Sequence, residues 1–479
     1  MDNDIFNDNK LNAMWVLDKD IETERLEAQY YKPKFVRAIE KIKCKNGIVL
    51  ENLIFEVKDG PGGWGISTSE YVDSGVPMLR GINIKDGLIT LDGCVYITEE
   101  KQNELTRSKV LKNDVLLAVR GSSGVGKSAV YSLEQRANMN AALVKITVNE
   151  TYLDAYYLSC FFNCTYGRLQ MERIANGVNQ QNTNLSEVKS NIIPVPSLQI
   201  QNYIGDKVRK AEELREEARI LKREAEDLLY KELKQEEFLE KQKTIINKFI
   251  WINNKEIETR IDSEYYKPNY ILYKHILKKN GIMTLKIKDI VKDIKTGTTP
   301  ESEFITQEGQ NVKFLKVNNL DYCFLNEDNL LYIDNNYEEK KLIFLQQEDV
   351  LVSIAGTLGR SAVVDRRNCT TNQNIAALTL KNINDIKPYY LSLYFNSYFG
   401  KLSLDTISTQ ATIKYVNNKL LGEIEIPIIK IDTQILIENK VIEYKNKLNN
   451  SKQLIKQAKQ HIEDLIEGNF DMSKIKETN

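Results

Sequence analysis

At 479 residues the chain is long enough for two or three domains, and 42% apolar with 28% charged residues is the balance of an ordinary folded protein, which argues against disorder. A formal net charge of −1 argues against a globally basic nucleic-acid binder, so any grip on a polyanion must come from local patches. Six cysteines without a Cys-x-x-Cys pair and only two histidines argue against a structural zinc site, and no apolar run approaches the roughly eighteen residues of a membrane span. The opening MDNDIFNDNK is acidic and polar, unlike a secretory leader, and the expected location is cytoplasmic.

Residues 15–35 read WVLDKDIETERLEAQYYKPKF, and 250–270 read IWINNKEIETRIDSEYYKPNY, which aligns Arg25 with Arg260 and Tyr30-Tyr31-Lys32-Pro33 with Tyr265-Tyr266-Lys267-Pro268. Near the same offset, VLLAVRGSSGVGKSAV (115–130) matches VLVSIAGTLGRSAV (350–363), and AYYLSCFFNCTYGRL (155–169) matches PYYLSLYFNSYFGKL (388–402). Pro194 then aligns with Pro427, Gln201 with Gln434 and Val208 with Val441. One register held over two hundred residues means a duplicated domain, not a solenoid of short repeats. The first copy, 25–196, holds 21 Lys/Arg against 18 Asp/Glu, and 260–428 of the second holds 21 against 20, so neither is strongly basic.

Within the first copy, short β-branched runs bounded by Gly, Asn, Asp and Pro predict strands at 48–57, 76–84, 114–119, 141–148 and 191–195, and the second copy repeats them. The aromatic YYLSxxFN strings predict helices over 154–175 and 387–405 whose rings serve the core. From Gln199 to about Phe249 runs a stretch with no Pro, one Gly and alternating Lys/Glu blocks. Ala211, Leu214, Ala218, Leu221, Ala225 and Leu228 form a heptad seam there, which predicts one long helix, a rod of roughly 75 Å. A second such helix is predicted over 433–467, with Val441, Tyr444, Leu448, Ser451, Ile455, Ala458, Ile462 and Leu465 as its seam. The expected fold is therefore α/β: two duplicated mixed α/β domains separated by two long helices that form an antiparallel intramolecular coiled coil. The divisions fall at 1–24 (N-terminal segment), 25–198 (first domain), 199–249 (first helix), 250–430 (second domain) and 431–479 (second helix and tail).

Gly121-Ser-Ser-Gly-Val-Gly126-Lys127-Ser128 is a literal phosphate-loop string, but that motif works only where a helix starts at its Lys-Ser end. Here AVYSLEQRANMNAALVKITV follows, which reads as strand, turn and strand, and the duplicate Gly356-Thr-Leu-Gly359-Arg360-Ser361 is two residues shorter and lacks the Lys. A Gly-rich hairpin is the expectation and nucleotide binding the alternative. No Ser, Cys or acidic cluster recurs beside a histidine, so a nucleophilic triad has no support, and no Pro-Pro string exists for an adenine amino-methyltransferase loop. What recurs is polar loops at duplicated positions. Asn and Gln give paired hydrogen bonds to adenine edges, and Arg or Lys to guanine. The candidates for contact with DNA are Lys58, Trp64, Arg80, Asn83, Arg120, Ser122, Ser123, Lys127, Asn179, Gln180, Gln181, Asn182 and Asn184 in the first copy. In the second they are Lys295, Thr298, Thr299, Lys316, Asn318, Asn319, Thr357, Arg360, Gln373, Asn374, Thr409, Gln410, Thr412 and Lys414. The framework repeats while the loop contents differ, as in two readers of two different short sequences.

From about Trp15 to Ile466 the chain resembles the DNA specificity subunit of a type I restriction-modification system. The duplicated RLEAQYYKP/RIDSEYYKP entries, the VLLAVRGSSG/VLVSIAGTLG strand-turns, the NIIPVP/EIEIPI exits and the two long helices carry the resemblance together. It implies two target recognition domains, each reading one half of a split target in double-stranded DNA, with the helices setting the spacer and docking a pair of methyltransferase subunits. Restriction motor and nuclease subunits complete such an assembly, and no membrane is involved. Catalysis resides in those partners, so this chain is expected to be no enzyme, to hold no metal and to carry no cofactor, S-adenosylmethionine, ATP and Mg²⁺ belonging to the partner subunits. A specificity subunit of a methylation-only or fused restriction-methyltransferase system is the neighbouring reading. Residues 1–14 have no counterpart in the family pattern.

Overall fold

A computed structural model describes residues 21, 25–61, 66–121, 124–175, 183–244, 257, 265–309, 312–334, 336–338, 342–409 and 414–476. The chain forms two compact units: the described residues up to Glu216 together with those from Leu448 onward, and Glu217–Lys447.

In the first unit the central layer is an antiparallel sheet ordered Ile54–Asp59, Leu143–Val148, Val115–Ala118, Ser128–Val130, with Lys145 opposite Lys58 and Val144 opposite Leu117. The run VLLA is apolar at every position because both faces of its strand are covered. Val115, Leu117 and Val119 enter the core under the helices, whereas Leu116 and Ala118 enter the core shared with the second sheet. At about 1.5–3 kcal/mol for each large side chain fully buried, such strands hold the unit together. The second sheet runs Val95–Ile97, Val76–Leu79, Ala137–Met139, Lys109–Val110, and its Ala137–Met139 and Val76–Leu79 pair is parallel.

Glu217–Lys447 repeats this plan. One sheet is ordered Val291–Thr296, Ile375–Leu380, Val350–Ser353, Ser361–Val363, and the other Ile305–Thr306, Leu331–Ile333, Lys313–Leu315, Cys369–Thr371. Val350, Val352 and Ile354 face the helices, and Leu351 faces the second sheet.

Four expected elements are interrupted. The predicted strand over 48–57 is two strands, Gly47–Val49 and Ile54–Asp59, joined by the 3-10 turn Leu50–Leu53, whose two leucines drop into the core. Strand 76–84 ends at Leu79 and gives way to the 3-10 turn Gly81–Asn83. The helices over 154–175 and 387–405 each break in the middle, into Ala155–Asn163 with Thr165–Ile174 and Pro388–Asn396 with Tyr398–Ile407. At both breaks the second helix crosses so close that a Cβ on Gly167 would lie 2.1 Å from the Phe161 carbonyl oxygen, and one on Gly400 2.0 Å from that of Tyr394.

The long helices are Leu198–Glu232 and Ile431–Glu467. The first stops short of the expected single rod: Lys234 takes φ +58° and a new helix runs Gln235–Thr244, while 245–249 lies outside the described residues. Leu233 and Phe238 are fully buried in the second unit's core, and that burial imposes a turn on a stretch whose composition contains no breaker. Its 35 residues span about 52 Å, not 75 Å.

Within each unit the two helices pair antiparallel. In the first, the Ser451 hydroxyl donates to the Ala211 carbonyl at 2.8 Å, and Ala211, Ser451, Ala458 and Ile462 are buried. In the second, Lys447 meets Glu217, Lys440 meets Glu224 at 2.7 Å, and Thr433 reaches Glu232 at 3.3 Å. The alanines of the first seam, Ala211, Ala218 and Ala225, are fully buried as their spacing predicts. Leu214, Leu221 and Leu228 are only half-buried, whereas Ile204, Val208, Leu229 and Leu233 on the same helix and its continuation are buried.

Candidate nucleic-acid interface

In the second unit backbone bonds draw three loops to one edge of the central sheet, and two side-chain bonds add two more. Ile354 N–H donates to the Asn374 carbonyl (2.8 Å), Val416 N–H to the Ile354 carbonyl (2.9 Å) and Gly356 N–H to the Lys414 carbonyl (3.1 Å). The Thr299 hydroxyl donates to Gln373 Oε1, and the Arg360 guanidinium to the Val317 carbonyl at 3.5 Å. Lys295, Thr298, Thr299, Lys316, Asn318, Thr357, Arg360, Gln373, Asn374, Thr409 and Lys414 thus share one region although they span 120 residues of chain. Lys316, Asn318, Thr357, Arg360 and Gln373 are exposed there. Lys295 pairs with Asp293 at 3.3 Å and Lys414 with Asp405. Exposed pairs of this kind contribute about 0–1 kcal/mol, so an incoming phosphate competes for either lysine at small cost.

The first unit builds the same scaffold. Val119 N–H donates to the Ala142 carbonyl (2.9 Å) and Thr183 N–H to the Val119 carbonyl (3.2 Å), placing exposed Arg120 beside the 183–184 segment. Lys58 pairs with Glu56 at 2.6 Å, and that ammonium, helped by Lys145, holds the Glu56 carboxyl below the usual range. Arg80 is half-buried and donates to the Gly93 carbonyl at 2.8 Å.

Several expected contacts are fold residues instead. Asn83 is fully buried: its Oδ1 accepts from Arg80 N–H (3.0 Å) and its Nδ2 donates to the Thr90 carbonyl (3.0 Å). Asn319, 4% exposed, repeats this with Lys316 N–H (3.0 Å) and the Asn326 carbonyl (3.1 Å). Both therefore leave the solvent-facing set. Asn184 is a helix N-cap, accepting from Glu187 N–H at 2.9 Å while the Glu187 carboxylate accepts from Asn184 N–H at 2.9 Å. The Thr409 hydroxyl accepts from Tyr415 N–H (3.2 Å), which closes its own loop. Trp64, Ser122, Ser123, Asn179, Gln180, Gln181, Asn182, Gln410 and Thr412 lie outside the described residues.

The Gly121–Ser128 string is a hairpin turn between Val115–Ala118 and Ser128–Val130. Gly121, Gly124 and Gly126 take positive φ, no helix follows, and Ser128 is a buried strand residue whose hydroxyl donates to the Leu116 carbonyl at 2.9 Å. The nucleotide-binding alternative fails on this geometry. Lys127 instead borders a cleft with Lys85, Arg168 and Lys459, three cations outside the polar loops that the sequence singles out.

The model of the type I restriction modification DNA specificity domain matches the chain twice, over residues 62–222 and 279–460. The chain belongs to that family. It is 23% identical over 425 residues to the putative type I restriction enzyme MjaX specificity subunit of Methanocaldococcus jannaschii, covering 84% of this chain and 89% of that protein. Over 198 residues, 41% of this chain and 39% of the other, it is 24% identical to the type I restriction enzyme EcoBI specificity subunit of Escherichia coli. Among solved structures, the S subunit of a type I restriction-modification system from M. genitalium superposes with a TM-score of 0.46 at 15% identity, over 89% of this chain and 96% of that one. The twofold match agrees with the internal duplication, and in this family member each matched segment ends inside one of the long helices. No helix among the described residues is long and apolar enough to cross a membrane, and no group of three or more His, Cys, Asp and Glu among them is placed to hold a metal ion.

Proposed function

We propose that this chain is the non-catalytic DNA-recognition subunit of a type I restriction-modification complex, each unit reading one half of a split target in double-stranded DNA. One observation carries the reading: the two copies keep the same buried framework and differ in what they expose. Asn163 and Asn396 each bridge two carbonyls, those of Ser128 and Ser159 at 2.7 and 2.9 Å in one copy and those of Ser361 and Ser392 at 2.8 and 2.9 Å in the other. Gln201 and Gln434, both fully buried, each accept from the N–H of the residue just before an aromatic helix, Asp154 and Lys387, at 2.9 Å. At the sheet edge the contents part: Arg120 lies in a turn two residues longer than that holding Thr357 and Arg360. A shared frame with different exposed donors presents two different hydrogen-bonding patterns to base edges.

The long helices set the spacer between half-sites and dock two methyltransferase subunits, with motor and nuclease subunits joining them. S-adenosylmethionine, ATP and Mg²⁺ serve chemistry carried out in those partners. This chain's residues bind and orient DNA and move no proton or methyl group. Sequencing genomic methylation with and without the gene for this chain tests the reading. A split motif that vanishes on deletion, and whose one half changes when residues 25–196 are exchanged for those of a relative, is the expected result. A split motif that persists after deletion overturns it.

A further inference from the structure

The cleft bordered by Lys127 lies wholly in the first unit and measures about 430 Å³. Lys85, Lys127, Arg168 and Lys459 converge on it from four separate elements, with Asp86 as its acidic residue. Asp86 is committed to Arg215 at 2.9 Å, and among the described residues none of the four cations forms an ion pair. Like charges gathered this way repel, so the arrangement is relieved by an oxyanion from outside.

The duplication supplies an internal control. Aligning Asn83 with Asn319 places Asp321, Tyr322 and Cys323 opposite Lys85, Asp86 and Gly87. That alignment is structural as well: a Cβ on Gly87 would lie 3.3 Å from the Asn163 amide nitrogen, and Cys323 meets the Asn396 amide at 3.6 Å. Lys127 and Arg168 correspond to Arg360 and Lys401, and on the long helices Ile455 and Lys459 correspond to Lys222 and Glu226. Four cations and one carboxylate therefore become three cations and two carboxylates. The Tyr322 ring in turn packs under the Lys222 ammonium at 4.3 Å and edge-on to Tyr444 at 5.7 Å. What is an open basic cleft in the first unit is lined with an aromatic side chain and acids in the second.

We propose that the first unit's cleft binds a phosphodiester of duplex DNA, a backbone anchor without sequence preference that the second unit lacks. The proposal rests on the DNA-recognition reading and deepens it: at this position one half of the split site gains a backbone contact that the other half lacks. Neutralising one phosphate contributes about 0.9 to the slope of log K against log salt. Removing it weakens binding about eightfold near 0.1 M salt, which is 0.9 of a decade.

The test measures binding of the full chain, purified with its methyltransferase subunits, to a short duplex of random sequence between roughly 50 and 200 mM salt. Lys127→Ala with Lys459→Ala is expected to flatten the slope by about 0.9, Lys127→Arg with Lys459→Arg to restore it, and Lys401→Ala in the second unit to leave it unchanged. Lys85→Ala, at an exposed position that carries no fold contact through its side chain, is expected to lower the slope even where the double variant fails to fold. An unchanged slope in both alanine variants, or an equal loss in Lys401→Ala, overturns the anchor. The split methylation motif persists in each of those outcomes, so failure of the anchor is distinguishable from failure of the recognition reading.

Discussion

Asn318 and Asn319 are adjacent, identical in chemistry and opposite in placement, which makes them a direct test of which polar residues face DNA. Asn319→Ala removes the acceptor of Lys316 N–H and the donor to the Asn326 carbonyl, both within a position only 4% exposed. Each buried polar group left unpaired costs about 1–3 kcal/mol, so the pair costs about 2–6 kcal/mol. For a unit of this size each kcal/mol moves the midpoint about 2–4 °C, so calorimetry is expected to show the transition of the second unit lowered by about 4–24 °C. Asn318 is exposed, and its change to Ala is expected to leave the midpoint within about 1–2 °C because surface substitutions stay within about 0.5 kcal/mol. It is expected instead to alter the bases found at one half of the methylated motif. A stable Asn319→Ala with changed specificity, or a destabilised Asn318→Ala, would falsify the division between frame and reading residues drawn here.

Two other perturbations address the helices. Inserting four residues between Glu216 and Glu217, with four more between Lys447 and Leu448, adds about 6 Å to each helix, near two base-pair steps of 3.4 Å. The methylome of a strain carrying this variant is expected to show the same half-sites with a spacer about two base pairs longer; an unchanged spacer in an active variant refutes the spacer role. Glu212 on the first helix accepts from the hydroxyls of Tyr156 (2.8 Å) and Ser132 (3.1 Å), and its desolvation raises its pKa against the lowering effect of those bonds and of Arg209 and Arg215. A carboxyl with a raised folded pKa contributes stability that is full below its unfolded value, about 4.3, and is lost as pH rises through the folded one. Glu212→Gln is therefore expected to gain thermal stability over the parent as pH rises from about 4 to about 7, and melting curves that stay parallel across that range would contradict this.

The duplication, the places of the strands and the antiparallel helices were legible because each rests on a pattern carried by the sequence itself: one register, β-branched runs between turn residues, heptad spacing. The interruptions were not, because they are imposed from outside the local sequence. Nothing between Gln199 and Phe249 announces the turn at Lys234, which exists because Leu233 and Phe238 find a core in the second unit. Asn83 has the look of a loop amide suited to adenine, and what separates it from Asn318 is its place in equivalent 3-10 turns: the third residue of each, Asn83 or Asn319, is buried, and the second, Asn318 in the second copy, is exposed. Composition of a polar loop reports that amides are present and is silent on which way they turn.

The comparison between copies recovers part of that missing information. A polar residue that recurs at the same position in both units has survived the divergence of two different binding faces, so its constraint lies in what both share, the frame. Asn163 with Asn396, Gln201 with Gln434 and Asn83 with Asn319 all recur, and all are buried or half-buried with their amides satisfied by backbone. Asp114 and Asp349 behave alike, each accepting a threonine hydroxyl, from Thr147 at 2.7 Å and Thr379 at 2.6 Å. Positions that change charge between copies, Lys85 to Asp321 and Lys459 to Glu226, do so at residues with no such bond to keep. By that criterion Asn83 and Asn319 belonged to the frame before any coordinates, while Lys85 and Lys459, absent from every polar loop, were the positions whose difference between two otherwise matched units marks a separate task.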